Sequence, residues 1–122
     1  MGLYNFQKRF VVPILAHKKK HTIRATRRHP DKVGNIAHLY TGLRTKKAML
    51  LGRFPIVRIE EIEISGLDAS PRIFVANVEL SPDEREKLAR LDGFKDFTEM
   101  KQFWKGRLPF KGQIIHWNPS KP

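Results

Sequence analysis

The apolar positions change period several times along the chain. Between residues 6 and 16, Phe10, Val11, Ile14 and Leu15 fall at helical spacing. Pro13 fits only in a first turn, so a short helix is predicted there. Residues 21–25 alternate instead, with Ile23 pointing one way and Thr22 and Arg24 the other, as in a strand entered from a basic turn. Pro30 and Gly34 make residues 27–34 a polar loop. Residues 36–40 alternate again and predict a second strand, closed by a turn over 41–45. From 48 to 64 the pattern is β throughout, but its phase slips at Glu60-Glu61, which predicts a bulge or a corner between two strands. A further strand over 73–80 follows a turn at Ser70-Pro71.

Two helices come next. The first has Ser81 as N-cap, Pro82 in its first turn and Glu84 three residues on, a capping box, and ends near Gly93. The second repeats the device with Asp96 and Glu99 and sets Phe97, Met100, Phe103 and Trp104 on one broad face before Gly106. Residues 112–117 read as a closing strand in which Ile114 and His116 oppose Ile115 and Trp117. Five or six strands with scattered short helices predict an α+β, mainly β fold: a small barrel or curled sheet with helices at its rim, not a parallel α/β fold. Met1-Gly2 and residues 118–122 read as short tails, so a single domain is expected over 1–122 with its core at about 4–117. A chain of 122 residues is the usual size of one domain and too short for two packed cores.

Charge sharpens this picture. The formal net charge is +12, and it is unevenly placed. Residues 1–53 carry 13 Lys/Arg and one acid, Asp31, whereas residues 54–122 balance 11 against 11. All the excess lies in the first half, which points to a polyanionic partner, nucleic acid or an anionic surface. No stretch approaches the length of apolar residues that a membrane span needs, and residues 10–16 are too short for a signal segment, so no membrane partner is expected. Zero cysteines exclude disulfides, thiolate metal sites and cysteine nucleophiles and fit a reducing compartment; the cytoplasm is the expected location.

The densest cationic cluster is His17-Lys18-Lys19-Lys20-His21-Thr22-Ile23-Arg24, followed by Arg27 and Arg28, with a second basic turn at Arg44, Lys46 and Lys47. It abuts a strand and contains almost no balancing acid, which favours phosphate binding over a merely solvated turn. A lysine crowded by other cations can have a lowered pKa and act as a base, and Thr22, three residues after Lys19, can present a hydroxyl to its amine. His17 and His21 are four apart, but no acid follows His17 as in a zinc protease, so no metal site and no cofactor are expected. Tyr40, Trp104 and Trp117 are candidates for stacking on bases, with the core the better place for Trp104. Asp92, just before the helix end at Gly93, is a candidate site carboxylate.

The order of these pieces is that of a known family. Phe10, then Ile14-Leu15-Ala16-His17-Lys18-Lys19-Lys20-His21-Thr22-Ile23-Arg24, Gly34 before a strand, the helices around Leu91-Asp92-Gly93-Phe94, and the closing Gly112-Gln113-Ile114-Ile115-His116-Trp117 together resemble the ASCH domain family over roughly residues 4–117. The most specific piece is the opening segment, where members often read ILAGxKTxTIR. The resemblance implies a small PUA-like β-barrel with rim helices and a cleft lined by the Lys-Thr-Arg segment. It implies RNA binding; members are also reported as ribonucleases or as amidohydrolases that deacetylate N4-acetylcytidine. The amidohydrolase motif Lys falls on Lys19, its Thr on Thr22 and its rim-helix Glu on Asp92. His17 stands where the motif has Gly, Lys20 where it has Thr, and Asp92 reaches one methylene less than Glu. The added positive charge favours a longer nucleic-acid ligand over a free nucleoside.

Two functions are therefore expected to compete for one cleft. The first is RNA or other nucleic-acid binding, with Lys18, Lys19, Lys20, Arg24, Arg27, Arg28, Arg44, Lys46 and Lys47 on phosphates and Tyr40 stacking. The second is hydrolysis, with Lys19 as base, Thr22 as nucleophile, Asp92 as orienting or acid group and Arg24 stabilising developing charge, on an acetylated cytidine or an RNA phosphodiester. A basic face for acidic proteins is the remaining alternative.

Overall fold

The computed structural model of the protein describes residues 2–66 and 71–120. The expected turn at Ser70, the first residue Met1 and the last two residues of the chain lie outside the described residues. The fold is α+β, mainly β, with a curled, barrel-like sheet and short helices, as the hydrophobic pattern predicts.

The chain begins with a strand that the pattern did not announce, β1 (Gly2–Phe6). Gly2, Tyr4 and Phe6 face inward and Leu3 and Asn5 outward. Gly2 is thus no tail, and Phe6 belongs to a strand, not to the helix expected over 6–16. That helix is a 3₁₀ turn (Lys8–Phe10) running into a short α1 (Val11–Leu15), with Pro13 in its first turn. Strands β2 (His21–Ala25) and β3 (Ile36–Thr41) lie where the alternation puts them.

The long β4 (Met49–Ser65) is the spine of the sheet. Its first part pairs antiparallel with β3, from Met49 opposite Thr41 to Pro55 opposite Ile36. Its second part pairs with β7 (Phe110–Trp117), from Ile56 opposite Trp117 to Ile64 opposite Phe110. The irregularity expected at Glu60-Glu61 lies three residues earlier. Val57 is the extra residue, since Ile56 opposes Trp117 and Arg58 opposes His116. The reason lies at Pro55, where the pairing with β3 ends; a bulge just after the handover bends the strand and curls the sheet.

The strand expected over 73–80 is a hairpin of β5 (Arg72–Val75) and β6 (Val78–Glu79). Ala76 and Asn77 both take positive φ, 50° and 66°, as a two-residue type I′ turn requires. Asn suits that region and hides the turn poorly; Ala disguises it, which is why the segment reads as one strand. With β1 and this split, seven strands are described where five or six were expected.

The closing strand β7 sits between β2 and β4. Ile114, Ile115 and Trp117 are all buried, as expected of a strand covered on both faces. Helix α2 (Pro82–Leu91) carries the predicted capping box, with Glu84 N donating to Ser81 Oγ and Ser81 N donating to Glu84 Oε1. Helix α3 (Phe97–Trp104) is capped by Asp96, but the Glu99 carboxylate receives the N–H of Lys95, not that of Asp96. Met100 and Trp104 close the core from the α3 side and Ala89 from α2. No helix among the described residues is long and apolar enough to cross a membrane.

The barrel is not closed by strand pairing. Among the described residues, strand β1 pairs only with β3 and β2 only with β7. Two arginines span the gap between them. Arg24 donates through Nη2 to the Asn5 carbonyl at 2.6 Å, and Arg27 donates to the Leu3 carbonyl, two residues along the same edge. Arg27 also lies over the Tyr4 ring, 4.2 Å from its centroid, and the Tyr4 hydroxyl donates to Asp31. Burial and the Asp31 carboxylate raise the Tyr4 pKa, so the phenol stays protonated.

Candidate functional site

The β1–β2 seam opens into a cleft of about 400 Å³ whose lining includes Asn5, Phe10, Lys19, Thr22, Arg24 and Asp92. Two local backbone devices build it. After α1, His17 takes φ 58° and the N–H groups of Lys18 and Lys19 both donate to the Pro13 carbonyl, a turn that sends the Lys19 side chain inward. A left-handed backbone at this position favours glycine, so His17 holds it at some cost in strain.

The second device ends α2. Gly93 N donates to Arg90 O and Phe94 N to Ala89 O, with Gly93 at φ 101°, which is a Schellman close. A Cβ on Gly93 would meet the Phe10 ring at 2.9 Å, so the helix end can lie this close only with glycine there. The close leaves the Asp92 carbonyl free, and Lys19 Nζ donates to it at 2.6 Å and to Asp92 Oδ1 at 2.7 Å. A cation on the last carbonyls of a helix also complements its dipole. The aromatic floor helps: Lys19 Nζ is 4.7 Å from the Phe10 ring centroid and 5.8 Å from that of Phe6.

Lys19 is 2% exposed and Asp92 6%, so this is a buried ion pair. Burial lowers the Lys19 pKa, Asp92 pulls it back up, and Arg24 adds repulsion. Burial alone would raise Asp92, but the Lys19 charge and His21 bring its carboxyl below the usual range. The carboxylate is ionised, and Lys19 is a lysine held at reduced basicity. Two of its three N–H bonds are committed, leaving one for a ligand.

Thr22 and Arg24 share a face of β2 as the alternation predicts, and Arg24 Nε donates to Thr22 Oγ1 at 3.0 Å. The expected contact between the Thr22 hydroxyl and the Lys19 amine is absent among the described residues. The reason is competition, because Asp92 offers the lysine two acceptors and Arg24 claims the threonine oxygen. The Thr22 proton is left free to be donated.

The remaining predicted residues are dispersed. Lys19 is not a surface cation like its neighbours; Lys18 and Lys20 line a different cleft on the other side of the segment. Arg27 is engaged in the seam, and Arg28 is exposed on the loop. Tyr40 is half-buried in β3 and lines neither cleft, Trp117 is a core residue, and Trp104, buried on α3, also forms part of the wall of the Lys19 cleft. Arg44, Lys46 and Lys47 are exposed on the β3–β4 turn, which reaches the site through Asn5, whose Oδ1 receives the Leu43 N–H at 3.0 Å. His17 is exposed and His21 buried, so they do not converge; no group of three metal-ligating side chains is found among the described residues.

Three polar residues have a place at the site that the sequence did not show: His21, weighed only as a metal ligand, and His116 and Glu60, given no role. His21 is 4% exposed, with Nε2 3.2 Å from Asp92 Oδ1 but not aligned for a hydrogen bond. It is paired across the sheet with His116, the ring centroids 5.3 Å apart, and His116 Nε2 lies 2.8 Å from Glu60 Oε1. Burial and the nearby His21 and Arg58 outweigh Glu60 and lower the His116 pKa. The signal was available in the alternation of the closing strand, where His116 is the one polar residue between Ile114 and Trp117. Compared with known proteins, the chain matches no family model, no curated protein and no solved structure.

Proposed function

We propose that the protein binds RNA, seating one nucleotide in the cleft of Lys19, Thr22, Arg24 and Asp92 while surrounding cations take the phosphates. The observation that carries the reading is the charge of residues 1–53, 13 cations against one acid, with Lys18, Lys20 and Arg24 flanking the two clefts beside β2. Such a surface binds a polyanion by releasing counterions. Fluorescence anisotropy with a short single-stranded RNA tests it. The logarithm of affinity is expected to fall with the logarithm of salt by about 0.7 for each phosphate neutralised. A flat salt response would overturn the proposal.

A second reading, hydrolysis, is favoured by one specific arrangement. Lys19 Nζ is held 2.7 Å from Asp92 Oδ1 in the cleft that also holds Thr22 and Arg24. Lys19 is not bonded to Thr22 in the resting site, so on an N-acetylated base a Lys19 that has given up its proton would turn from Asp92 to Thr22 and take the hydroxyl proton as Oγ1 attacks the acetyl carbonyl. The amine would leave with that proton, and water would cleave the acetyl-threonine to acetate. Free N4-acetylcytidine and a short RNA carrying it, followed by mass spectrometry, are expected to lose the acetyl group with wild-type protein and to keep it with Thr22→Val or Lys19→Ala. Turnover that survives both replacements would reject this mechanism, and shortened RNA would assign phosphodiester cleavage instead.

A further inference from the structure

The larger cleft, about 870 Å³, opens on the opposite side of the segment that carries Lys19. Side chains alternate along residues 18–20, so Lys18 and Lys20 turn into it while Lys19 turns away. Its rim carries Lys18, Lys20, Arg58, Lys87 and Arg90 against two acids, Glu60 and Glu84. Neither acid is idle. Glu60 is bonded to both Arg58 and His116, and Glu84 accepts the Ser81 N–H of the capping box. The cleft therefore presents cations to a ligand and no unengaged carboxylate. Its floor is apolar, built from Val75, Leu80, Leu88 and Ile114.

A ligand that satisfies both features carries negative charge at one end and a flat, weakly polar body at the other. Inorganic phosphate would leave the floor uncovered, and an uncharged aromatic would leave the cations unused. A nucleotide uses both. The two clefts are also linked through the sheet. From the Lys19–Asp92 pair, contacts run to His21, across to His116 and on to Glu60 and Arg58.

We infer that this cleft is a second nucleotide subsite, holding the neighbour of the nucleotide seated beside Lys19 in one RNA strand that crosses the Lys18-Lys19-Lys20 segment. The inference rests on the RNA-binding reading above. It places His116 beside the bound base and gives Lys20 and Lys87 one phosphate each.

Lys20→Gln combined with Lys87→Gln tests this, because both side chains are exposed and neither makes a side-chain hydrogen bond or ion pair among the described residues, so the fold should be unaffected. Affinity for a short single-stranded RNA is expected to drop about tenfold, and the salt slope to fall by about 1.4 if two phosphate contacts are lost. In wild-type protein, RNA should shift the His116 imidazole resonances, and the double variant should reduce that shift at equal RNA concentration. Unchanged affinity and slope in the variant, with wild-type protein binding RNA normally, would overturn the second subsite and leave RNA binding standing. A His116 signal indifferent to RNA would do the same. Failure of wild-type protein to bind RNA at all would overturn both. A 5′-mononucleotide that shifts His116 while RNA does not would assign the cleft to free nucleotides and overturn the strand form.

Discussion

Asp92→Ala is expected to destabilise the protein by about 3–5 kcal/mol, because it leaves the Lys19 ammonium buried with no opposite charge. The cost is asymmetric. Lys19 and Asp92 are both withdrawn from water, and their attraction mainly offsets the desolvation of the two charges; removing one partner leaves the other's penalty uncompensated. Replacing both, as Lys19→Met with Asp92→Leu, is therefore expected to be far less costly than Asp92→Ala alone, and neutral or stabilising if the new side chains pack. Urea unfolding at constant m-value measures each difference. Equal losses for the single and double variants would mean that packing, not charge, holds the helix end against β2.

The same pair sets part of the acid sensitivity. The Asp92 pKa is lower in the folded protein, so its contribution is fully present above the unfolded carboxylate pKa, about 4, and is lost as pH falls through the folded value. His116 is also lowered. Its contribution is present above about pH 6.5 and is lost as pH falls towards its folded value. Wild-type stability should thus fall in two limbs, and Asp92→Asn should shrink the lower one, with the remainder coming from Glu60, Glu79 and Glu84, whose carboxyls are also held below their usual range.

Trp117→Ala is expected to cost about 3–5 kcal/mol, the range for removing a buried tryptophan. Trp117 is 3% exposed at the end of β7, where it opposes Ile56 and its backbone N–H donates to the Lys20 carbonyl at 3.0 Å. Its ring meets Phe6 edge-on, with centroids 6.0 Å apart and planes at 72°. It therefore ties β1 and the segment entering β2 to the sheet that β4 and β7 build. With total stabilities of small domains at about 5–15 kcal/mol, the loss is a large share of the whole. Guanidinium unfolding checks it; a loss under about 1 kcal/mol would place the organising contacts of the seam elsewhere.

Period and capping made most of the fold legible. Strand β2, strand β3, both rim helices and the closing strand follow from alternation or from Ser81, Glu84 and Asp96 acting as local punctuation. What was missed has local causes. In β1 the inward set includes Gly2, which has no hydrophobic signature, and Leu3 faces outward, so the alternation of Tyr4 and Phe6 is disguised. The bulge at Val57 is invisible because Val57 is apolar yet exposed, which carries the apparent phase on to Glu60. At the site, the sequence brought out Lys19, Thr22, Arg24 and Asp92, and the structure gathers them in one cleft. Their bonding was not legible. Which acceptor Lys19 chooses depends on a helix end that arrives from 73 residues away, and the His21–His116 contact depends on strand register.

The arginine seam would make ligand occupancy and self-association parts of one balance if the cleft takes an anion. An unpaired strand edge is a template for another chain, and proteins usually protect it with charge or a covering segment. Here the Asn5 carbonyl on the β1 edge is covered by the guanidinium that also faces the cleft. An anion that drew Arg24 inward would uncover that carbonyl, so loading the cleft and guarding against edge-to-edge pairing would compete for one side chain.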